Sequence, residues 1–195
     1  MRTVFTVAVA IVVSIAAGAC HSPAPDGPNA ASETRSSSSP TGAATGSAGD
    51  IAFLENMVAH HQQALELTAL VYGRSTDSTL LALANQITAQ QQTELQGCQA
   101  QLLQWEAPGN PSARDHAEIP GMADQATIDK LRNLHGAAFD TLWLDTMISH
   151  HRGAITMAHN EIEHGQSPEA ISIAQSLLPR QQADIDQMTA MLGER

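Results

Sequence analysis

The sequence predicts an all-α four-helix bundle built from two repeated helical hairpins. Three observations predict it. One motif occurs twice at a constant offset of 90 residues, apolar residues recur at helical spacing from Asp50 onward, and only short turn signals separate the helices within each copy. Residues 50–67 read DIAFLENMVAHHQQALEL and residues 140–157 read DTLWLDTMISHHRGAITM. In register, Asp50 matches Asp140, Leu54 matches Leu144, Met57 matches Met147, His60-His61 match His150-His151, and Ala64 matches Ala154. The match continues into the second helix of each copy, pairing Ala84 with Ala174, Gln91-Gln92 with Gln181-Gln182 and Glu94-Leu95 with Asp184-Ile185. The bundle is expected over residues 50–193, with repeats at about 50–105 and 140–193 and a linker at 106–136.

Residues 1–19 carry one arginine, an apolar run and a small-residue end, which is the pattern of a secretory signal peptide. Ala17-Gly18-Ala19-Cys20 resembles a bacterial lipobox, so the expected signal is of the lipoprotein type, with Cys20 acylated (palmitate-class) as the first mature residue. An uncleaved anchoring helix and plain secretion are the alternatives, because the run approaches the length that spans a bilayer. Two or more acyl chains would hold the chain stably at the cell membrane, on its extracytoplasmic side. Cleavage removes Arg2 and leaves 8 basic against 20 acidic residues, a formal charge of −12. With one lysine and no basic cluster, nucleic acid is excluded as a partner. The same sign repels anionic head groups, so anchoring falls to the acyl chains. Cys98 is then the one remaining thiol, expected to be buried and inert within a helical apolar pattern. Residues 20–49 hold the lipidated cysteine and a Pro-, Ser-, Gly- and Ala-rich stretch without apolar periodicity, which reads as a disordered tether.

From Asp50, a good N-cap, Phe53, Leu54, Met57, Val58, Leu65 and Leu67 mark a first helix that ends by Gly73. Leu80, Leu83, Ile87, Leu95, Leu102 and Leu103 mark a second from about Asp77 to Trp105. Three prolines and two glycines in residues 106–122 break the pattern. A short helix around 124–135 leads through Gly136 into a third long helix that ends near His164-Gly165. Ser167-Pro168 opens the fourth, with proline at a tolerated first-turn position, and Gly193 closes it. Pro179 stands inside that helix where the first copy has Ala89, so a kink or loosened turn is expected.

MISHHRGAITMAHNEIEHG, with Gly121-Met122 and FDTLWLD before it, resembles the signature of the family called domain of unknown function 305. Members show a Met-x-x-His-His-x-x-Ala-Ile-x-Met-Ala helix, then a second helix with Gln, an acidic residue and Ile, here Gln181, Asp184 and Ile185, with Met188 one turn on. The resemblance covers nearly all of residues 50–193 and is most specific in the second half. In the first half Leu67 replaces the methionine found at Met157, and Cys98 stands where the second copy has Met188. The resemblance implies a ferritin-like bundle and, through the family's CopM-like members, copper binding and resistance.

On a helix at about 100° per residue, His60 points about 60° to one side of Met57 and His61 about 40° to the other, with Ala64 above. Met147, His150, His151 and Ala154 repeat the arrangement, and Met157 lies on the stripe of His150. Adjacent histidines diverge, so a mononuclear site would combine one from each repeat, or a histidine with its own methionine. Imidazole with thioether suits copper, and thioether favours Cu(I) over Cu(II), whereas zinc gains little from methionine. The candidate ligands are Met57, His61, Met147, His150, His151 and Met157, with His60 secondary and Gln91 and Gln181 as supporting hydrogen-bond partners. Each also has a structural reading, the histidines as core groups bonded to carbonyls and the methionines as core filler. Asp50 and Asp140 read as caps, and His116, His135, His159 and His164 as solvent-facing.

Three functions compete. The first is copper binding in the cell envelope for tolerance, storage or delivery, without turnover. The second is a lipid-anchored scaffold or interaction module, homo-oligomeric or with an envelope partner, whose histidines pack or respond to pH. The third is a di-iron ferritin-like oxidase, which needs two Glu-x-x-His motifs and finds one, at Glu161–His164, and too few carboxylates on the internal faces. No Gly-x-Ser-x-Gly elbow, phosphate loop or Cys pair suggests other catalysis.

Overall fold

The computed structural model describes residues 46–105 and 119–194. The expected signal segment 1–19, the acylated Cys20, the tether up to residue 45 and His116 lie outside the described residues. Five helices occur among those described, and no strand: α1 (Ala48–Ala69), α2 (Ser78–Gln104), α3 (Gln125–Asn133), α4 (Gly136–His164) and α5 (Pro168–Gly193). The hairpins α1–α2 and α4–α5 form an all-α, ferritin-like four-helix bundle, with α3 packed on α4. No helix of the described residues is long and apolar enough to cross a membrane.

Caps set the boundaries, and two differ from expectation. Ser47, not Asp50, is the N-cap of α1. Asp50 closes a capping box, taking the Ser47 N–H at 2.7 Å while its own N–H donates to Ser47 Oγ at 3.2 Å. Asp50 Oδ1 also accepts the backbone N–H groups of Gln166 (2.8 Å) and Ser167 (3.2 Å), tying α1 to the turn between α4 and α5. Asp140 is not a cap either. Gly136, at φ +57°, starts α4 four residues earlier, and its N–H donates to Arg74 O at 2.7 Å. Asp77, Asp124 and Ser167 cap α2, α3 and α5 through side-chain oxygens. Pro179 lies within an uninterrupted α5. It and Gln175 are exposed, so the carbonyl left without an N–H partner is on a wetted face.

Helices α1 and α4 run antiparallel along the seam between the hairpins. The start of α1 meets the end of α4 through Asp50, and its far end meets the start of α4, where the Trp143 indole N–H donates to Leu67 O at 2.8 Å. Apolar residues fill the interior as two clusters. One holds Leu67, Val71, Phe139, Trp143 and Met147, and the other holds Phe53, Met57, Cys98, Met157 and Leu177.

A strap, residues 119–123, crosses the outside of this seam. Gln63 holds it with two bonds to Ala123, donating to its carbonyl at 2.9 Å and accepting its N–H at 2.7 Å. Gly153 makes the crossing possible, since a Cβ there would stand 2.0 Å from Pro120 O and 2.7 Å from Gly121 Cα. Those are backbone atoms, so no rotamer relieves the clash. Gly153→Ala is expected to destabilise the fold by about 1–3 kcal/mol, seen as a lower urea midpoint. An unchanged midpoint would show that the strap lifts away without cost.

Candidate metal centre

Neighbouring residues on a helix diverge by about 100°, so each histidine pair presents one ring to each of two partners. His60 faces α4 and His150 faces α1, and the two rings meet across the seam with centroids 3.7 Å apart and planes tilted by 34°. His61 turns to α2, where its Nδ1–H donates to Gln91 Oε1 at 2.5 Å and Nε2 lies 3.9 Å from Glu94 Oε2. His151 turns to α5, with Nδ1–H donating to Met147 O at 3.0 Å and Nε2 lying 3.4 Å from Asp184 Oδ2. The His150 and His151 centroids are 6.2 Å apart. All four histidines are at most 1 % exposed. Ala64 and Ala154, fully buried beside them, leave room for the helices to approach.

The four rings therefore form one polar layer across the bundle, between the two apolar clusters. His60, secondary to His61 on the sequence, is the histidine of the first repeat that touches the second. Four ring nitrogens in the layer have no hydrogen-bond partner: His61 Nε2, His151 Nε2 and both nitrogens of His150. His60 Nε2 donates to Pro120 O of the strap at 3.2 Å.

Burial holds His60 and His150 well below the usual imidazole range, with charge repulsion among the clustered rings added. Burial also brings His61 to about 4, against the opposing bond to Gln91. These three rings are therefore neutral at pH 7, the form that binds metal. Sequence reasoning missed the two carboxylates that stand against the layer, Glu94 by His61 and Asp184 by His151. Asp50, Glu94, Asp140, Glu161 and Asp184 are all buried, contrary to the expectation of too few on internal faces. Glu94 accepts from Gln181 Nε2 at 3.1 Å, and Asp184 from Gln86 Nε2 at 3.0 Å. Their signal was the offset of 90 that pairs Glu94 with Asp184, each three residues after a paired glutamine. Burial, with repulsion from Asp184, pushes Glu94 up to about 7 despite Arg180 and Gln181.

These shifts predict an unusual acid profile. His60, His61 and His150 titrate lower when folded, so their contribution to stability is lost as pH falls below about 6.5. Glu94 and Glu161 are both raised to about 7, Glu161 by burial and by Asp50, so they contribute most below 4.5 and less as pH rises towards 7. Between 6.5 and 4.5 the two sets oppose, three protons against two, leaving a shallow net loss of stability as pH falls. Below 4.5 the carboxyl compensation ends and the loss steepens. Thermal melts across pH 7.5 to 3.5 should break near 4.5, and a single constant slope would contradict this balance.

The methionines are not gathered as the histidines are. Met57 and Met157 lie in the cluster on one side of the layer, and Met147 lies on the other side with Leu67. Leu67 stands where the repeat would put the partner of Met157, so two of the three candidate methionines lie on one side of the layer and one on the other. Among the described residues, no three His, Cys, Asp or Glu side chains stand close enough to enclose an ion by themselves. Cys98 is fully buried, and burial, with Glu94 nearby, pushes its thiol up to about 12. His135, His159 and His164 are exposed, as expected.

Comparison with known proteins places this geometry among relatives. A family described as a domain of unknown function (DUF305) matches residues 50–192. A DUF305 fragment from Deinococcus radiodurans is 29 % identical with a TM-score of 0.72, covering 78 % of this chain and 100 % of that one. A DUF305 protein from Streptomyces coelicolor is 29 % identical with a TM-score of 0.69, covering 75 % and 93 %. CopM in its Cu(I)-bound form is 26 % identical with a TM-score of 0.62, covering 74 % and 96 %, and a Cu(II)-bound form of CopM aligns at 0.65. No curated protein matches.

Proposed function

The chain belongs to the DUF305 family, whose name assigns no activity, and on that footing we propose that it binds copper at the histidine layer, for tolerance, storage or delivery and without turnover. The observation that carries this reading is the set of buried ring nitrogens without partners, on three adjacent histidines. A buried polar atom left unsatisfied costs about 1–3 kcal/mol, so several in one layer fit atoms kept for a cation. The proposed ligands are His60, His61, His150 and His151 with Met57, Met147 and Met157, and the thioethers favour Cu(I). Gln91 orients His61, and Gln181 steadies Glu94. Glu94 and Asp184 add oxygen donors at the rim, of a kind that suits Cu(II). The copper-bound forms of CopM, at 26 % identity, support the same reading. We place the protein on the extracytoplasmic face of the cell membrane, held through Cys20.

A scaffold with packing histidines is the second reading. It is favoured by the bonds that His60 and His151 make to the backbone carbonyls of Pro120 and Met147. The di-iron reading lacks a second Glu-x-x-His, and His164 of the first is exposed at the end of α4. Titration of the metal-free chain with Cu(I) under a competing chelator, beside Cu(II) and Zn(II), tests the proposal. Stoichiometric Cu(I) binding that disappears when the paired histidines become alanine supports it. Binding that survives those changes would sink the assignment.

A further inference from the structure

The repeat relates the two ends of the α1–α4 seam, yet they are built differently. Where α4 finishes, Met157, Asn160, Glu161 and His164 lie on one helical stripe. With Phe53 and Asn56 of α1 they line a cavity of about 290 Å³. Ninety residues earlier the stripe reads Leu67, Leu70, Val71 and Arg74, and Phe53 and Asn56 become Trp143 and Thr146. Leu67, Val71 and Trp143 are fully buried there, and the indole N–H is bonded to Leu67 O. One end of the seam is plugged with apolar bulk; the other is open and carries sulfur, carboxylate and imidazole.

The open end has one oxygen in want of a partner, on a carboxyl whose other neighbour is Asp50. Glu161 is 5 % exposed, and its Oε1 accepts no hydrogen bond from the protein. A buried carboxylate oxygen in a cavity wall is costly unless something binds it. His164 is exposed and fixes Nδ1 on Asn160 O at 3.1 Å, which leaves Nε2 free. Met157 shares its cluster with Met57, one helical turn from His60. Imidazole, carboxylate and thioether thus follow one another from the mouth of the cavity towards the stacked His60–His150 pair.

We propose that this open end is a second metal site, a loading site that takes a copper-like cation through Met157, Glu161 and His164 and passes it along Met57 to the His60–His150 pair. It rests on the copper reading of the histidine layer. The test is stopped-flow uptake of Cu(I) from a weak chelator by the metal-free full chain. The double variant Glu161→Gln/His164→Ala is expected to take up copper about tenfold more slowly, since a lost charge and ligand at a mouth act on rate. The equilibrium affinity of the histidine layer should match that of the parent. Should Glu161→Gln fail to fold, His164→Ala at its exposed position carries the same test. His159→Ala, exposed and outside the cavity wall, should leave the rate unchanged. Parent-like uptake by the double variant, or equal slowing by His159→Ala, overturns the loading site and leaves the histidine layer standing. A parent chain that binds no copper overturns both.

Discussion

His150→Ala is expected to lower copper affinity at least about 100-fold, the top of the range seen when only an outer partner of a metal ligand is lost. His150 is the centre of the layer, stacked on His60 at 3.7 Å and fully buried, with neither ring nitrogen hydrogen-bonded. Alanine there removes one prospective donor nitrogen and breaks no side-chain hydrogen bond. His61→Ala offers the contrast, since it also strands Gln91 Oε1 and loosens the contact to Glu94, so its loss of affinity comes with a loss of stability. Chelator competition at pH 7, paired with urea melts, separates the two effects. If the rings only pack, His150→Ala will bind copper like the parent.

Trp143→Ala should have the largest effect on the fold, about 3–5 kcal/mol, from a lost indole and the cavity it leaves. The ring is fully buried beside Leu67, Phe139 and Leu144, and its N–H joins the two hairpins through Leu67 O. Total stabilities of about 5–15 kcal/mol make that a fifth or more of the whole. The urea midpoint should fall with little change in slope, while copper stoichiometry holds because Trp143 lies outside the histidine layer. A loss under about 1 kcal/mol would mean that the sealed end of the seam is loosely packed.

Local signals carried most of the fold. Apolar spacing and the caps Asp77 and Ser167-Pro168 located the long helices, and the offset of 90 revealed two hairpins. What failed was non-local. Asp50 and Asp140 each precede an apolar run and resemble caps. The choice of Ser47 and the early start at Gly136 depend on where the turns at Gln166 and Arg74 arrive. Glu94 and Asp184 look like solvated helix charges until the neighbouring hairpin covers them. That Met57 and Met147 fall on opposite sides of the layer follows from the antiparallel crossing of α1 and α4, which one strand of sequence does not display. The close passage of the strap over Gly153 is of the same kind.

Cys98 bears on how long any bound ion would stay. A thiolate is the softest ligand a protein offers and grips Cu(I) hard. Here the thiol is sealed in an apolar cluster and kept protonated by its surroundings, so it neither competes for the ion nor oxidises readily. Cargo left to imidazole and thioether exchanges quickly. On the copper proposal, a chain arranged in this way would be suited to handing its metal on, where one with an accessible thiolate would hoard it.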